Sequence, residues 1–207
     1  QTLTLVAGGD TLLVPGESDP DAVMGHAGIT TLAQRTVDAL KSQGITGELA
    51  VNLDTSIFAG PALNSDWAQE DIESGFMTEV TPLAFFSHYS PDGSGSEAST
   101  SRPQDAPGQV HQQLVSTLNR VGKDAGLSFT TGAEGPSGGG ATELAAVESA
   151  TVAQQSALMM QQSDNSLAEV LGRNLSVARG GDGSQSDALA QIRVVLGEQG
   201  LPTDYQQ

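Results

Sequence analysis

The sequence predicts a mixed α/β fold in which an α/β region is followed by a helical region. A helix, a glycine and a strand follow one another twice, over residues 29–53 and 110–131. Beyond residue 147 the apolar residues keep helical spacing, and no strand pattern recurs. We therefore expect an α/β region over 1–140 and a helical region over 141–207.

The first part of the α/β region alternates strands with a helix. Residues 3–7 alternate in polarity before Gly8-Gly9-Asp10, which predicts a strand and a turn. Apolar residues at helical spacing over 28–43, with Gly44 beyond them, predict a helix that ends in a left-handed cap. An apolar strand over 49–53 follows.

The second part of this region repeats the pattern after a long loop. Residues 60–76 are rich in acids and predict a surface loop, whereas the apolar run over 80–86 predicts a strand. Residues 90–108 are rich in Ser, Gly and Pro, and we expect a flexible linker there. A helix over 110–121 and a strand over 127–131 complete the pattern.

The remaining residues predict a glycine-rich loop and three helices. The loop covers residues 132–141. One helix ends at Leu158-Met159, a second covers residues 167–178, and a third covers residues 189–196. No stretch of 18 apolar residues occurs, so no membrane-spanning helix is expected.

Charge and composition limit the possible functions. The 207 residues carry a net charge of −17, from 25 acids against 8 Lys and Arg. We therefore expect no nucleic-acid partner and no anionic membrane surface, because both need clustered cations. Cysteine is absent, which excludes thiol catalysis. The chain opens in a predicted strand and not in a signal peptide, while its composition is typical of an exported bacterial protein.

Two short motifs suggest catalysis but have simpler interpretations. Gly135-Pro136-Ser137-Gly138-Gly139 fits G-x-S-x-G, yet all histidines precede Ser137, and that order excludes the α/β-hydrolase triad. Asp54-Thr55-Ser56 after an apolar strand is similar to an aspartic-protease loop, whose chemistry needs two carboxylates. A homodimer could supply the second copy, but a turn after a strand is the simpler interpretation. The histidines show no metal-ligand spacing and are expected at the surface or at a helix cap, so we predict neither a metal nor a cofactor.

Ser163-Asp164-Asn165 stands between two apolar helices. Ser or Asp there is a good helix N-cap, which is the structural interpretation. A short polar break between helices also directs side chains outward at a fixed point, and the two interpretations are compatible.

The surroundings of this tripeptide resemble one family of enzymes. Leu158-Met159-Met160-Gln161-Gln162 before it, and Ala168-Glu169 and Arg173 after it, are similar to the second motif of class C low-molecular-mass penicillin-binding proteins. Leu5-Val6-Ala7-Gly8-Gly9-Asp10 and Asp54-Thr55-Ser56-Ile57-Phe58 are similar to two further segments of that family, and they occur in the same order. The family's usual proline after Gly-Gly-Asp is Thr11 here.

The resemblance implies a serine D-alanyl-D-alanine carboxypeptidase/endopeptidase. It implies that Ser163 relays a proton, that Asn165 contacts the substrate and the motif lysine, and that Asp164 holds the loop. It also implies a β-lactamase/transpeptidase-like catalytic domain, of which residues 141–207 would be helices and residues 1–140 an insertion. Peptidoglycan stem peptides and β-lactam antibiotics are the implied partners, and an extracytoplasmic location is the implied setting.

The family's nucleophile motif S-x-x-K and its third motif K-T-G do not occur in this sequence. We therefore expect the chain to be catalytically incomplete, as part of a longer enzyme. Two alternatives remain, which are a non-catalytic peptidoglycan-binding module and an exported structural domain.

Overall fold

A computed structural model of the protein describes residues 1–89, 102–138 and 140–203. The strands and helices of the described part follow one another in this order: β1 (Thr2–Val6), β2 (Asp10–Leu13), α1 (Ile29–Ser42), β3 (Gly47–Asp54), α2 (Gln69–Glu73), β4 (Leu83–Phe85), α3 (Ala106–Gly122), β5 (Leu127–Glu134), α4 (Val152–Gln162), α5 (Asn165–Ala178) and α6 (Gln185–Glu198). Most of the linker predicted over 90–108 lies outside the described residues. Its last part is not linker, because α3 begins at Ala106.

A parallel sheet with strand order β1-β3-β5 organises the α/β region. Leu3 pairs with Val51, and Leu49 pairs with Phe129. Parallel neighbours need a long crossover connection, and helices α1 and α3 supply it. These helices pack on each other, and α3 also packs on β5. The two helix-glycine-strand units of the sequence are thus the two crossovers onto one sheet.

The core of the molecule lies between this sheet and its helices. The strands and the helices both contribute large apolar side chains to it, because strands alternate their residues between two faces and each helix presents one apolar stripe. The buried core members are Leu5, Ala7, Leu13, Ala27, Ile29, Ala33, Val37, Leu40, Leu49, Val51, Leu53, Leu83, Phe85, Val110, Leu114, Leu118, Leu127 and Phe129.

A second, two-stranded parallel sheet pairs β2 with β4. The sequence predicted a turn at Gly8-Gly9-Asp10 but no strand after it, and β2 therefore went unrecognised. Asp10 pairs with Leu83 and Leu13 pairs with Phe85. The predicted strand over 80–86 is confirmed only at its centre, over Leu83–Phe85.

The chain leaves β4 through a left-handed turn. Phe86, Ser87 and His88 all have positive φ, at 49°, 55° and 63°. A left-handed conformation costs a non-glycine residue about 1–2 kcal/mol, so three in succession require compensating contacts.

Two of the three histidines are buried, which contradicts the expectation of surface or cap positions. His88 and His111 are each 1% exposed. Strand β5 bulges where Val51 pairs with Thr131 but Leu53 pairs with Glu134. His111 Nε2 donates to the carbonyl of Val51 at 2.6 Å, so it pairs a buried carbonyl beside the bulge.

The three predicted helices of the second region are present as α4, α5 and α6. Each begins at a polar residue whose side chain accepts a backbone N–H, namely Thr151, Asp164 and Ser184. Helix α5 packs on α6, and α4 packs on α5. Within the described ranges, no helix combines the length and apolarity that a membrane crossing needs.

Candidate active site

Ser163, Asp164 and Asn165 form the junction between α4 and α5. Ser163 adopts a left-handed conformation (φ 51°, ψ 43°) that ends α4. The backbone N–H groups of Ser163 and Asp164 both reach the carbonyl of Met159. The polar triplet therefore closes one helix and opens the next, as the sequence predicts.

The three side chains of the junction differ in burial. Asp164 is buried, and its carboxylate accepts the N–H of Leu167 at 2.9 Å as the N-cap of α5. Ser163 and Asn165 are exposed. The middle residue thus fixes the backbone, while the outer two present a hydroxyl and an amide to solvent.

One of these exposed groups is linked to the α/β region. The side-chain amide of Asn165 donates through Nδ2 to the carbonyl oxygen of Phe76 at 3.3 Å. Phe76 is itself 63% exposed beside the junction. Phe76 follows helix α2 within the predicted surface loop, and no motif in the sequence marks it.

Helix α5 contacts the α/β region at further points along its length. Asn174 donates through Nδ2 to the carbonyl of Gly9 at 2.9 Å. A side chain at position 9 would collide with Asn174, and Gly9 has a φ of 83°, so only glycine fits there. Beyond α5, the carbonyl of Asp182 accepts the N–H of Ala59 at 3.0 Å. The Gly-Gly-Asp turn therefore serves to bring the two regions together.

A buried arginine makes the central contact between the regions. Arg173 is 1% exposed, donates to the carbonyl of Pro61 at 2.9 Å, and places its guanidinium 5.7 Å above the ring of Phe58. Burial lowers the pKa of Arg173, and nearby Glu169 opposes that shift. Burial in turn raises the pKa of Glu169, and Arg173 opposes it. Phe58 and Arg173 thus join two segments that are distant in sequence.

The two catalytic-looking motifs of the α/β region meet each other. The buried carboxylate of Asp54 accepts Ser56 N and Ser56 Oγ at 2.9 and 2.6 Å, and Ser137 N at 2.6 Å. Burial favours its neutral acid, but the hydrogen bonds from Ser137 and Ser56 outweigh burial and hold the pKa of Asp54 well below its usual range.

This arrangement is structural. Asp54 is 5% exposed and faces no second carboxylate among its hydrogen-bond partners, so it does not form the protease dyad. Ser137 follows β5, and α4 begins only at Val152, so Ser137 does not lie on a tight strand-to-helix turn.

Comparison with known proteins decides the family. The sequence model of the D-Ala-D-Ala carboxypeptidase 3 (S13) family matches residues 1–137 and, in an overlapping second match, residues 91–206. The chain belongs to this family. The second match includes the junction of α4 and α5, and the first includes Gly9, Asp54 and Phe58.

Two similar carboxypeptidases are longer than this chain. The carboxypeptidase DacB of Mycolicibacterium smegmatis is 28% identical over 204 residues, which is 97% of this chain and 41% of that protein. A carboxypeptidase of Mycobacterium tuberculosis is 31% identical over 143 residues, which is 69% of this chain and 28% of that protein. The chain thus spans less than half the length of either relative.

A solved structure supports the fold. Penicillin binding protein 4 (dacB) from Haemophilus influenzae aligns with a TM-score of 0.65 at 16% identity, over 97% of this chain and 54% of that one. The mixed α/β fold that the sequence predicts is confirmed.

Proposed function

We propose that this chain is part of a serine D-Ala-D-Ala carboxypeptidase/endopeptidase that cleaves peptidoglycan stem peptides through an acyl-enzyme. The S-x-x-K nucleophile lies outside residues 1–207 in this proposal. The observation that carries it is the outward-facing Ser163 and Asn165, in a segment that the S13 family model matches.

The proposed chemistry divides between this chain and the missing segments. A serine outside the chain attacks the carbonyl of the penultimate D-alanine, and the terminal D-alanine leaves as the acyl-enzyme forms. The Ser163 hydroxyl relays the proton to the leaving amine. Asn165 holds the substrate backbone and the lysine that activates the serine. Asp164 contributes by fixing both residues through its cap on α5.

The setting and ligands follow from the same proposal. Stem peptides that end in D-Ala-D-Ala occur outside the cytoplasm, so we place the complete enzyme in the periplasm or cell wall. β-Lactams would acylate the same serine, because they present a strained amide where the peptide presents its scissile bond. The acidic surface suits neither nucleic acid nor an anionic membrane.

Two experiments test the proposal. The full-length protein that contains this segment is incubated with a fluorescent penicillin, and D-alanine release from a D-Ala-D-Ala stem peptide is measured in parallel. We expect labelling and release, with Ser163→Ala and Asn165→Ala each slowing acylation on the order of a hundredfold. Ser116→Ala, at an exposed serine on α3, is the matched control and should change neither.

Other outcomes would select the alternatives. Stem-peptide binding without labelling or release would indicate a non-catalytic binding module. Neither binding nor labelling would indicate a structural domain, although the exposure of Ser163 and Asn165 disfavours that alternative. Intact mass of the 207-residue chain after β-lactam treatment should show no adduct, and an adduct would contradict a nucleophile outside the chain.

A further inference from the structure

The side chain of Arg102 donates hydrogen bonds to three backbone carbonyls of the α/β region. Its Nε and Nη2 donate to the carbonyl of Gly75 at 3.0 and 2.8 Å. Its Nη1 lies 3.2 and 3.3 Å from the carbonyls of Ser87 and His88. The guanidinium also lies 3.7 Å from the ring centre of Tyr89. One side chain thus ties the loop after α2 to the turn after β4.

The loop that Arg102 holds is the one that meets the junction of α4 and α5. Gly75 directly precedes Phe76, whose carbonyl accepts the amide of Asn165. The N–H of Phe76 is bound to the carbonyl of Asp71 at 2.9 Å, so the loop is fixed from both sides. The carbonyl that Arg102 binds and the carbonyl that accepts Asn165 therefore belong to adjacent residues.

The Phe76 carbonyl determines which end of the Asn165 amide faces outward. A primary amide has a donor end and an acceptor end, and two carbonyl oxygens repel each other. Nδ2 must therefore face Phe76, which leaves Oδ1 free to accept hydrogen bonds from a lysine or a substrate N–H. If the loop that carries Phe76 shifted, the Asn165 amide would no longer be held in this orientation.

We propose that Arg102 is a positioning residue for Asn165, acting through the Gly75–Phe76 peptide. The inference rests on the proposed function of Asn165. It also explains the left-handed turn Phe86–His88: the turn directs the carbonyls of Ser87 and His88 to the same Nη1 atom. Hydrogen bonds to a charged donor are stronger than neutral ones, so they offset part of the cost of that turn.

Arginine is the side chain that this arrangement requires. Its planar guanidinium reaches several carbonyls at once and stacks on an aromatic ring. Lysine keeps the charge but has neither the flat face nor the paired donors. The conservative variant Arg102→Lys should therefore restore function only in part.

The test measures acylation of the full-length protein by a fluorescent penicillin. We expect Arg102→Gln to lower the second-order acylation rate about tenfold, the effect of losing one well-placed hydrogen bond. Arg102→Lys should lie between Arg102→Gln and the wild type. The final labelled fraction should stay at the wild-type level, because folded molecules still carry the nucleophile. Arg120→Gln, at an exposed arginine on helix α3, should leave the rate unchanged.

A double-mutant cycle separates positioning from general structure. In an Asn165→Ala background, Arg102→Lys should cause little further loss, because the group it positions is gone. Additive losses, or a fall in labelled fraction with an unchanged rate, would overturn the inference. An unlabelled wild type would instead refute the proposed function itself. Arg102→Lys carries the test if Arg102→Gln does not fold.

Discussion

The α/β region and the helical region bury their side chains differently. Every member of the main apolar core lies between Leu5 and Phe129. The described part of the helical region has few buried apolar residues, namely Ala150, Leu167, Val170 and Ala188. Among the described residues of that region, five large apolar side chains are exposed, namely Val152, Met160, Leu189, Val194 and Leu201. The first region thus builds its own core, whereas the second leaves apolar faces uncovered.

The difference indicates what each region does. Arg173 and Ser176 are buried polar groups that hold α5 to neighbouring segments through hydrogen bonds, while buried Asp164 caps the helix itself. Such contacts set geometry more than they add stability. We propose that residues 141–207 are the helical part of a penicillin-binding catalytic domain, and that the rest of that domain covers the exposed faces. Residues 1–140 would be the insertion that holds α5 in place.

The comparison is sharpest for one leucine in each region. Leu118 of α3 is 1% exposed in the core, so Leu118→Ala should lower the free energy of unfolding by about 3–4 kcal/mol. Leu189 of α6 is 50% exposed, and Leu189→Ala in the 207-residue chain should cost less than about 0.5 kcal/mol. Urea unfolding measures both. In the full-length protein the cost at Leu189 should rise if another segment covers it, and equal costs for the two leucines in the short chain would break the comparison.

Two titrating groups give the α/β region opposing pH dependences. Burial is the main cause that lowers the pKa of His88 from 6.5 to about 4, with a contribution from Arg102. The unfolded chain binds this proton first as pH falls, so the contribution of His88 to stability is complete above pH 6.5 and is lost toward pH 4. Burial raises the pKa of Asp10 from 3.8 to about 6, so its contribution is complete below pH 4 and is lost as pH rises toward 6.

Single variants separate these two effects. His88→Gln keeps an acceptor near the N–H of Thr81, which lies 3.1 Å from His88 Nε2. In the wild type, His88 should raise the free energy of unfolding by up to about 3 kcal/mol between pH 4 and 6.5. His88→Gln should lack this rise and show only the fall with pH that Asp10 causes. Asp10→Asn should do the reverse. Thermal unfolding from pH 4 to 7 measures both, and parallel curves for wild type and His88→Gln would contradict the assignment.

The Asp54 carboxylate fastens the end of β3 to the loop after β5. Asp54→Asn keeps the shape of the side chain but removes the charge that Ser56 and Ser137 stabilise. The variant should lower the free energy of unfolding by about 2 kcal/mol near neutral pH. The pKa of Asp54 is lowered on folding, so its contribution is present above pH 3.8 and is lost as pH falls through the folded value. The cost of Asp54→Asn should therefore shrink in acid. Exposed Asp66→Asn is the control, and an equal cost for both variants would refute the fastening role.

The spacing of apolar residues and the glycines at helix ends are enough to predict the main helices and strands, but not the contacts between them. The helices and strands of the two crossovers carry strong apolar patterns, and glycines mark where α1 and α3 end. Strand β2 has only four residues, and a short apolar run after a turn signal does not distinguish strand from loop. The left-handed turn Phe86–His88 contains no glycine, so nothing in its residues predicts positive φ.

The candidate site shows the same limit. Ser163 and Asn165 were found because they form a local motif, and their outward orientation follows from the break between helices. Phe76 and Arg102 were missed because their roles rest on backbone carbonyls, and a carbonyl is the same in every residue. Asn165 and Phe76 are 89 residues apart, and only the packing of α5 on the α/β region brings them together.

Ser163 gives the smallest expected effect and a clear separation of stability from function. Its left-handed conformation disfavours a side chain, so Ser163→Gly should raise the free energy of unfolding by about 0.5 kcal/mol. Ser163→Ala keeps the Cβ and loses only the hydroxyl, so its stability should match the wild type. Both variants should lose acylation to a similar degree in the full-length enzyme, because both lack the proton relay. Thermal unfolding compares the two variants. If Ser163→Gly were no more stable than Ser163→Ala, the left-handed conformation of Ser163 would not destabilise the α4–α5 junction.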